Sequence, residues 1–141
     1  MSLTIGPKLE EFFAQPLLAL VCTLNTRRAP EITPIWYEYF EGYIWFNGTS
    51  TREWLRRMEA TGRATFFLMD RAHDWRWAQV WGRVVEVNDD VEAASFKRLG
   101  RRYGRSIGVA HDRRYVKLQI TSVKGRAGSP TEQWDVSRTA G

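Results

Sequence analysis

Cysteine is nearly absent: Cys22 is the only one in 141 residues, so no internal disulfide can staple the chain. A single thiol inside an apolar run, with no Cys or His neighbour, reads as packing and not as a nucleophile. It fits a reducing compartment, and the expected location is cytoplasmic. Histidine is scarce too. His73 and His111 stand alone, and Asp70, His73 and Asp74 in one loop make a poor ligand set, so no metal is expected. No apolar run approaches the roughly 20 residues a spanning helix needs, and residues 1–11 lack the basic-then-apolar order of a signal peptide. Ser50, Ser95 and Ser122 lack a Gly-x-Ser-x-Gly frame; Ser106 has one, Gly104 to Gly108, but in a loop that follows a helix and not a strand, so no nucleophile elbow is expected. No glycine-rich loop ends in Gly-Lys-Ser/Thr, which removes the P-loop.

What is present is basic and aromatic. The net charge is +5, with ordinary apolar (43%) and charged (26%) fractions, enough for one domain with a real core. The charge is uneven. Residues 97–126 carry ten Lys or Arg against Asp112 alone, a segment of +9 in a chain whose remainder is −4. Such asymmetry is either a solvated face or a site for an anionic partner. Seven Trp, five Tyr and seven Phe exceed what a small barrel can bury. The surplus needs a helix, a partner chain or a planar ligand to cover it.

The pattern along the chain is mainly β. Residues 7–14 read as a short helix with Pro7 in its first turn and Pro16 beyond its end. Residues 17–25 and 31–40 read as strands, the second interrupted by Pro34, which implies an edge, a bulge or a break. Glu41-Gly42 is a hairpin signal before a strand over 43–47. Ser50 and Glu53 have capping-box spacing for a helix over 51–60, ended by Gly62. Strands follow at 63–70 and 75–88, the latter kinked at Gly82. Asp89 or Asp90 caps a helix reaching about Tyr103, with Val91, Ala94, Leu99 and Tyr103 inward. Residues 114–124 form the last strand, and residues 125–141 are expected as a loose C-terminal tail. Consecutive short strands with tight turns predict an antiparallel barrel of six to seven strands with flanking helices, occupying residues 1–124.

Two stretches carry candidate chemistry. From Asn47 to Arg57 a strand gives way to Gly48, Thr49, Ser50 and Thr51, then to a helix bearing Arg52 and Arg57. Glycine allows close approach, hydroxyls donate to oxyanions, and a helix N-terminus with arginine favours phosphate. A plain capped helix, with Glu53 and Arg57 paired, fits the same residues. Ile35-Trp36-Tyr37, Tyr43-Ile44-Trp45-Phe46 and Trp75-Arg76-Trp77 are aromatic rows that suit a planar ring system or simple packing.

These residues resemble the pyridoxamine 5'-phosphate oxidase-like split β-barrels and, within them, the flavin/deazaflavin oxidoreductases. The likeness runs through Leu20-Val21-Cys22-Thr23-Leu24 and Pro30-Glu31-Ile32-Thr33-Pro34-Ile35-Trp36-Tyr37, then Ile44 to Arg52. It continues in Arg63-Ala64-Thr65-Phe66-Phe67-Leu68 and Val80-Trp81-Gly82-Arg83-Val84-Val85-Glu86-Val87. Relatives often carry paired basic residues in the cradle and then Asn-Leu; here the loop has Thr49-Ser50-Thr51 and the matching position is Arg57.

The resemblance implies a homodimeric split barrel holding FMN or the deazaflavin coenzyme F420 between subunits, and hydride transfer to or from a small organic substrate. Pro34, Ile35, Trp36, Asn47, Thr49, Ser50, Thr51, Arg52, Arg57 and Trp77 are the implied cofactor-binding residues, with no acid, base or nucleophile assigned. The deazaflavin tail ends in glutamates, which the basic segment suits, and this favours it modestly over FMN. The competing readings are a non-enzymatic flavin-binding protein and a basic small-barrel nucleic-acid binder. Nothing matches the aromatic strand motif of the commonest RNA module, and neither nucleic acid nor membrane is the expected partner.

Overall fold

The computed structural model describes residues 2–108 and 111–139. Among the described residues nine strands occur in chain order: β1 (Ser2–Ile5), β2 (Ala19–Leu24), β3 (Pro30–Ile35), β4 (Tyr37–Phe40), β5 (Tyr43–Thr49), β6 (Arg63–Met69), β7 (Arg76–Asp89), β8 (Arg113–Ala127) and β9 (Val136–Thr139). Three helices accompany them: α1 (Pro7–Ala14), α2 (Glu53–Thr61) and α3 (Ala94–Arg102). Seven strands form one antiparallel sheet in the order β3-β2-β6-β7-β8-β5-β4, and β1 pairs with β9 separately. Among the described residues no helix is long and apolar enough to cross a membrane.

The single strand expected over 31–40 is two. β3 pairs with β2 and β4 pairs with β5, so residues on either side of Trp36 lie at opposite edges of the sheet. This bend curls the sheet into a split barrel. Pro34 sits on an edge strand, where its missing N–H breaks no interior ladder. At the next turn Glu41 and Gly42 both take positive φ (56° and 81°), the twist a two-residue hairpin needs.

Strand alternation fills the interior. Ala64, Phe66 and Leu68 of β6 point in, as do Ile44 and Phe46 of β5 and Val116 and Leu118 of β8. Phe46 meets Phe66 edge-on at 5.2 Å and Trp54 of α2 at 6.1 Å. Leu9, Phe12 and Phe13 of α1 close one end of the barrel. Each such fully buried side chain contributes about 1.5–3 kcal/mol. Tyr37, fully buried, shares its hydroxyl proton between the carbonyls of Phe13 (2.9 Å) and Gln15 (2.8 Å). Burial holds its phenol well above the ordinary tyrosine pKa.

Three expectations need correction. Residues 125–139 are not a loose tail. β8 runs on to Ala127, Trp134 packs on Phe12 at 4.7 Å with 6% exposure, and Asp135 accepts the backbone N–H groups of Lys8 and Leu9 at 2.9 and 3.0 Å. Polar composition concealed one aromatic anchor and one helix-capping carboxylate; Ala140 and Gly141 lie outside the described residues. α2 begins at Glu53, not Thr51, so Ser50 lies two residues before the Arg52 N-cap and no capping box forms; its hydroxyl donates to Asp112. Finally, Val91 (74% exposed) and Ala94 face solvent, while Ser95 and Leu99 are buried. Glu92 and Ala93 take positive φ (57° and 54°), which resets the helical phase.

Candidate functional site

A cleft of about 740 Å³ opens between the N-terminal end of α2, the bend at Trp36 and α3. Its size lies within the range typical of small-ligand sites, roughly 300–1,000 Å³. Pro34, Ile35 and Trp36 form one wall, Phe96 and Leu99 of α3 another, and Thr51, Arg52 and Glu53 the entrance to α2. Gly48 lies at the back. A Cβ there would sit 2.7 Å from the Trp54 ring, so glycine admits the indole that anchors α2.

The residue expected as a ligand, Asn47, is 5% exposed and spoken for. Its Nδ2 donates to Asp90 Oδ2 at 3.0 Å, and its Oδ1 accepts from Arg113 Nε at 2.8 Å. Asp90 in turn accepts the backbone N–H groups of Ser95 and Phe96 at 2.9 and 3.0 Å, capping α3. Arg113 lies 3.7 Å from the Phe96 ring centre. Burial lowers the Arg113 pKa, Asp90 opposes that shift, and the nearby Arg52 cation adds to it. Both guanidinium-bearing side chains line the cleft, close enough for one to act on the other. Among the described residues neither Arg52 nor Arg113 has a carboxylate ion-pair partner. Two such guanidinium groups have the chemistry to hold an anion.

Arg57 differs. Its Nη1 donates to Glu31 (2.9 Å) and Thr23 (3.1 Å), and its Nη2 to Glu53 (3.0 Å). The Asn25 side chain binds the other oxygen of Glu31 at 3.0 Å. Asn25 first, then Arg57, holds the Glu31 carboxyl below its ordinary pKa.

At the apolar wall, Trp36 stacks on Tyr103 with ring centres 4.8 Å apart and planes 8° from parallel. The Tyr103 hydroxyl bonds the Leu17 carbonyl and accepts the Tyr37 N–H at 3.1 Å, which fixes the bend. Burial raises the Tyr103 pKa.

The structure therefore brings Pro34, Ile35, Trp36, Asn47, Thr51, Arg52 and Arg57 to one cleft. It does not bring Thr49, Ser50 or Trp77 there. Thr49 faces Thr51 across 3.2 Å, Ser50 is tied to Asp112, and Trp77 stacks on Phe67 on another part of the sheet. Sequence reasoning missed Arg113, Phe96 and Leu99 as lining residues, together with Asp90 behind them. Arg113 belongs to the basic segment already noticed, but only the β5–β8 register, which sets it opposite Thr49, marks it out.

The basic segment is not one patch. Arg98 pairs with Glu38, Arg114 with Glu59, and Lys117 lies over Tyr43 and Trp45. Arg102 donates to the carbonyls of Phe13, Ala14 and Gln15 at the end of α1. Lys97, Arg101 and Arg105 are left exposed on and just after α3.

A sequence model of the pyridoxamine 5'-phosphate oxidase family matches residues 5–127. Among curated proteins none matches the chain in sequence. Several solved structures share the fold. An F420 reductase superposes with a TM-score of 0.75 at 20% identity, covering 81% of this chain and 94% of its own. The general stress protein 26 of Bacillus anthracis gives 0.67 at 9% identity, covering 86% and 93%. The heme storage protein HutZ of Vibrio cholerae gives 0.63 at 12% identity, covering 89% and 96%.

Proposed function

The chain belongs to the pyridoxamine 5'-phosphate oxidase family, and from that premise we propose that its cleft binds a phosphate-bearing flavin, FMN or the deazaflavin F420, for hydride transfer to or from a small organic substrate. The observation that carries this reading is the pair of cations without a carboxylate ion-pair partner among the described residues, Arg52 and Arg113, beside an apolar wall of Pro34, Ile35 and Trp36. The residues fit the group. A phosphate would satisfy the two guanidinium groups, with the Thr51 hydroxyl beside them. The ring would lie along Trp36, whose stack on Tyr103 holds it rigid. The flavin, when bound, supplies the hydride chemistry. The protein's share is to orient the ring, neutralise the phosphate and exclude water with Leu18, Ile35 and Leu99.

Heme is the second ligand suggested by a similar fold, since HutZ is a heme storage protein. The residues lining this cleft include no His, Cys, Met or Tyr to ligate iron, which favours the flavin.

We extend the reading to a homodimer in the cytoplasm. One face of the sheet exposes Leu20, Leu24, Ile32 and Met69, with Cys22, Phe67, Trp77 and Trp81 half-buried in the same rows. Pro34 belongs both to that face and to the cleft wall, so a second copy seated there would border the cofactor. The lone thiol suits a reducing compartment.

The test is the visible absorption of freshly purified protein, followed by fluorescence titration with FMN and F420 at low and high salt. Micromolar or tighter binding of either, only weakly salt-dependent, is the expected result. Failure of both, with steep salt-dependent binding of an oligonucleotide, would overturn it.

A further inference from the structure

The three arginines of the cleft are not equivalent. Among the described residues Arg52 and Arg113 have no carboxylate ion-pair partner, whereas Arg57 is shared between Glu31 at 2.9 Å and Glu53 at 3.0 Å. The Glu31–Arg57–Glu53 triad carries one net negative charge and lines the same cleft as the cationic pair. It is also built in advance. The Asn25 side chain accepts the N–H groups of Arg27 and Ala29 in the β2–β3 turn, then donates to Glu31. Glu53 bonds Arg57 one helical turn away, the favoured order for such a pair. Glu53 further occupies the first turn of α2, where it cancels the attraction a bare helix N-terminus offers an anion.

We propose that the Glu31–Arg57–Glu53 triad is a charge filter that restricts the cleft to ligands with a single phosphate and rejects diphosphates. This rests on the reading of Arg52 and Arg113 as the phosphate subsite. One phosphate saturates that pair. A second, linked to it, would lie against two carboxylates whose only counter-charge is already shared between them. Discrimination then comes from repulsion of the wrong ligand as much as from attraction of the right one. The triad also explains why a third arginine in the cleft adds no second anion subsite.

Four probes test it by titration calorimetry: inorganic phosphate, pyrophosphate, FMN and FAD. The native protein is expected to bind phosphate at least as tightly as pyrophosphate, despite the greater charge of the latter, and FMN more tightly than FAD. In the double variant Glu31→Gln, Glu53→Gln both preferences narrow by about five- to tenfold, the combined effect of removing two exposed carboxylates. Arg57→Ala leaves the carboxylates bare, so the preferences widen. Far-UV circular dichroism confirms that each variant is folded. Unchanged ratios in the double variant would overturn the filter. So would an Arg57→Ala variant that loses phosphate and pyrophosphate alike, which marks Arg57 as a direct ligand. Should FMN fail to bind while phosphate still outcompetes pyrophosphate, the cofactor reading falls and the filter stands. Should phosphate not bind either, the filter falls too.

Discussion

Arg113 donates its Nε–H to Asn47 Oδ1 across 2.8 Å, joining two strands whose residues are 66 apart in sequence. The bond aims the guanidinium into the cleft, and Asp90 holds Asn47 in turn at 3.0 Å. Asn47→Ala removes both contacts from a buried site. It should destabilise the fold by about 1–3 kcal/mol and weaken FMN binding together. Urea denaturation and fluorescence titration measure the two effects.

Arg52 has no such partner, so Arg52→Ala separates binding from stability. Affinity for the phosphate ligand should fall by about 1.5–3 kcal/mol while the urea midpoint stays put. Arg57→Ala should cost less affinity, because its guanidinium is already engaged by Glu31 and Glu53. Calorimetric titration of both variants checks the ranking.

Charge reversal on α3 distinguishes a structural arginine from a free one. Arg102 bonds three carbonyls at the end of α1, so Arg102→Glu should destabilise the protein by about 2–4 kcal/mol. Arg101 is exposed, and Arg101→Glu should leave stability within about 0.5 kcal/mol. If the exposed cations of α3 meet an acidic cofactor tail, Arg101→Glu weakens binding of F420 and spares FMN. Thermal melts and paired titrations read both outcomes.

Ile32 is 66% exposed on the edge strand of the apolar sheet face. Light scattering of the native protein at micromolar concentration should give twice the 16.4 kDa chain mass. Ile32→Asp should give the single-chain mass without unfolding, since the isolated chain buries little of this side chain.

Alkali probes the buried tyrosines. Burial raises the pKa of Tyr37 and Tyr103 in the folded state, above the ordinary 10.0. Their contribution is fully present below pH 10 and is lost as pH rises through the raised values. Tyrosinate absorbance should therefore show these two rings ionising only as the protein unfolds. Tyr37→Phe should lower stability near pH 7 by about 1–2 kcal/mol and flatten the alkaline loss. On the acid side the Glu31–Arg57 pair is complete above the ordinary carboxyl pKa of 4.5 and weakens as pH falls through Glu31's lowered one.

Local signals were legible where neighbours in sequence decide the outcome. Pro7 and the spacing of Leu9, Phe12 and Phe13 gave α1 to the residue, and Glu41-Gly42 gave its hairpin. The split at Trp36 was only hinted by Pro34, because the two strands it separates choose partners far along the chain. Ser50 read as a helix cap, yet Asp112, brought close by the fold, competes for its hydroxyl. Arg113 was lost among ten basic residues, since its role depends on strand register and on Asp90. Trp77 has the right chemistry for a ring site and faces another part of the sheet. The tail misled because polar composition says nothing about where Trp134 and Asp135 land.

That last pair has a bearing on how the molecule comes into being. Helix α1 spans only eight residues, too short to persist alone, and its first turn is closed by a carboxylate 126 residues downstream of Leu9. Helix α1 must wait for the chain to be made as far as Asp135 before its amides are satisfied and Phe12 is roofed by Trp134. Helix α1 and the segment holding Trp134 and Asp135 are thereby made to fold together. Until then the nascent barrel is an unsealed vessel, open at the end that α1 covers.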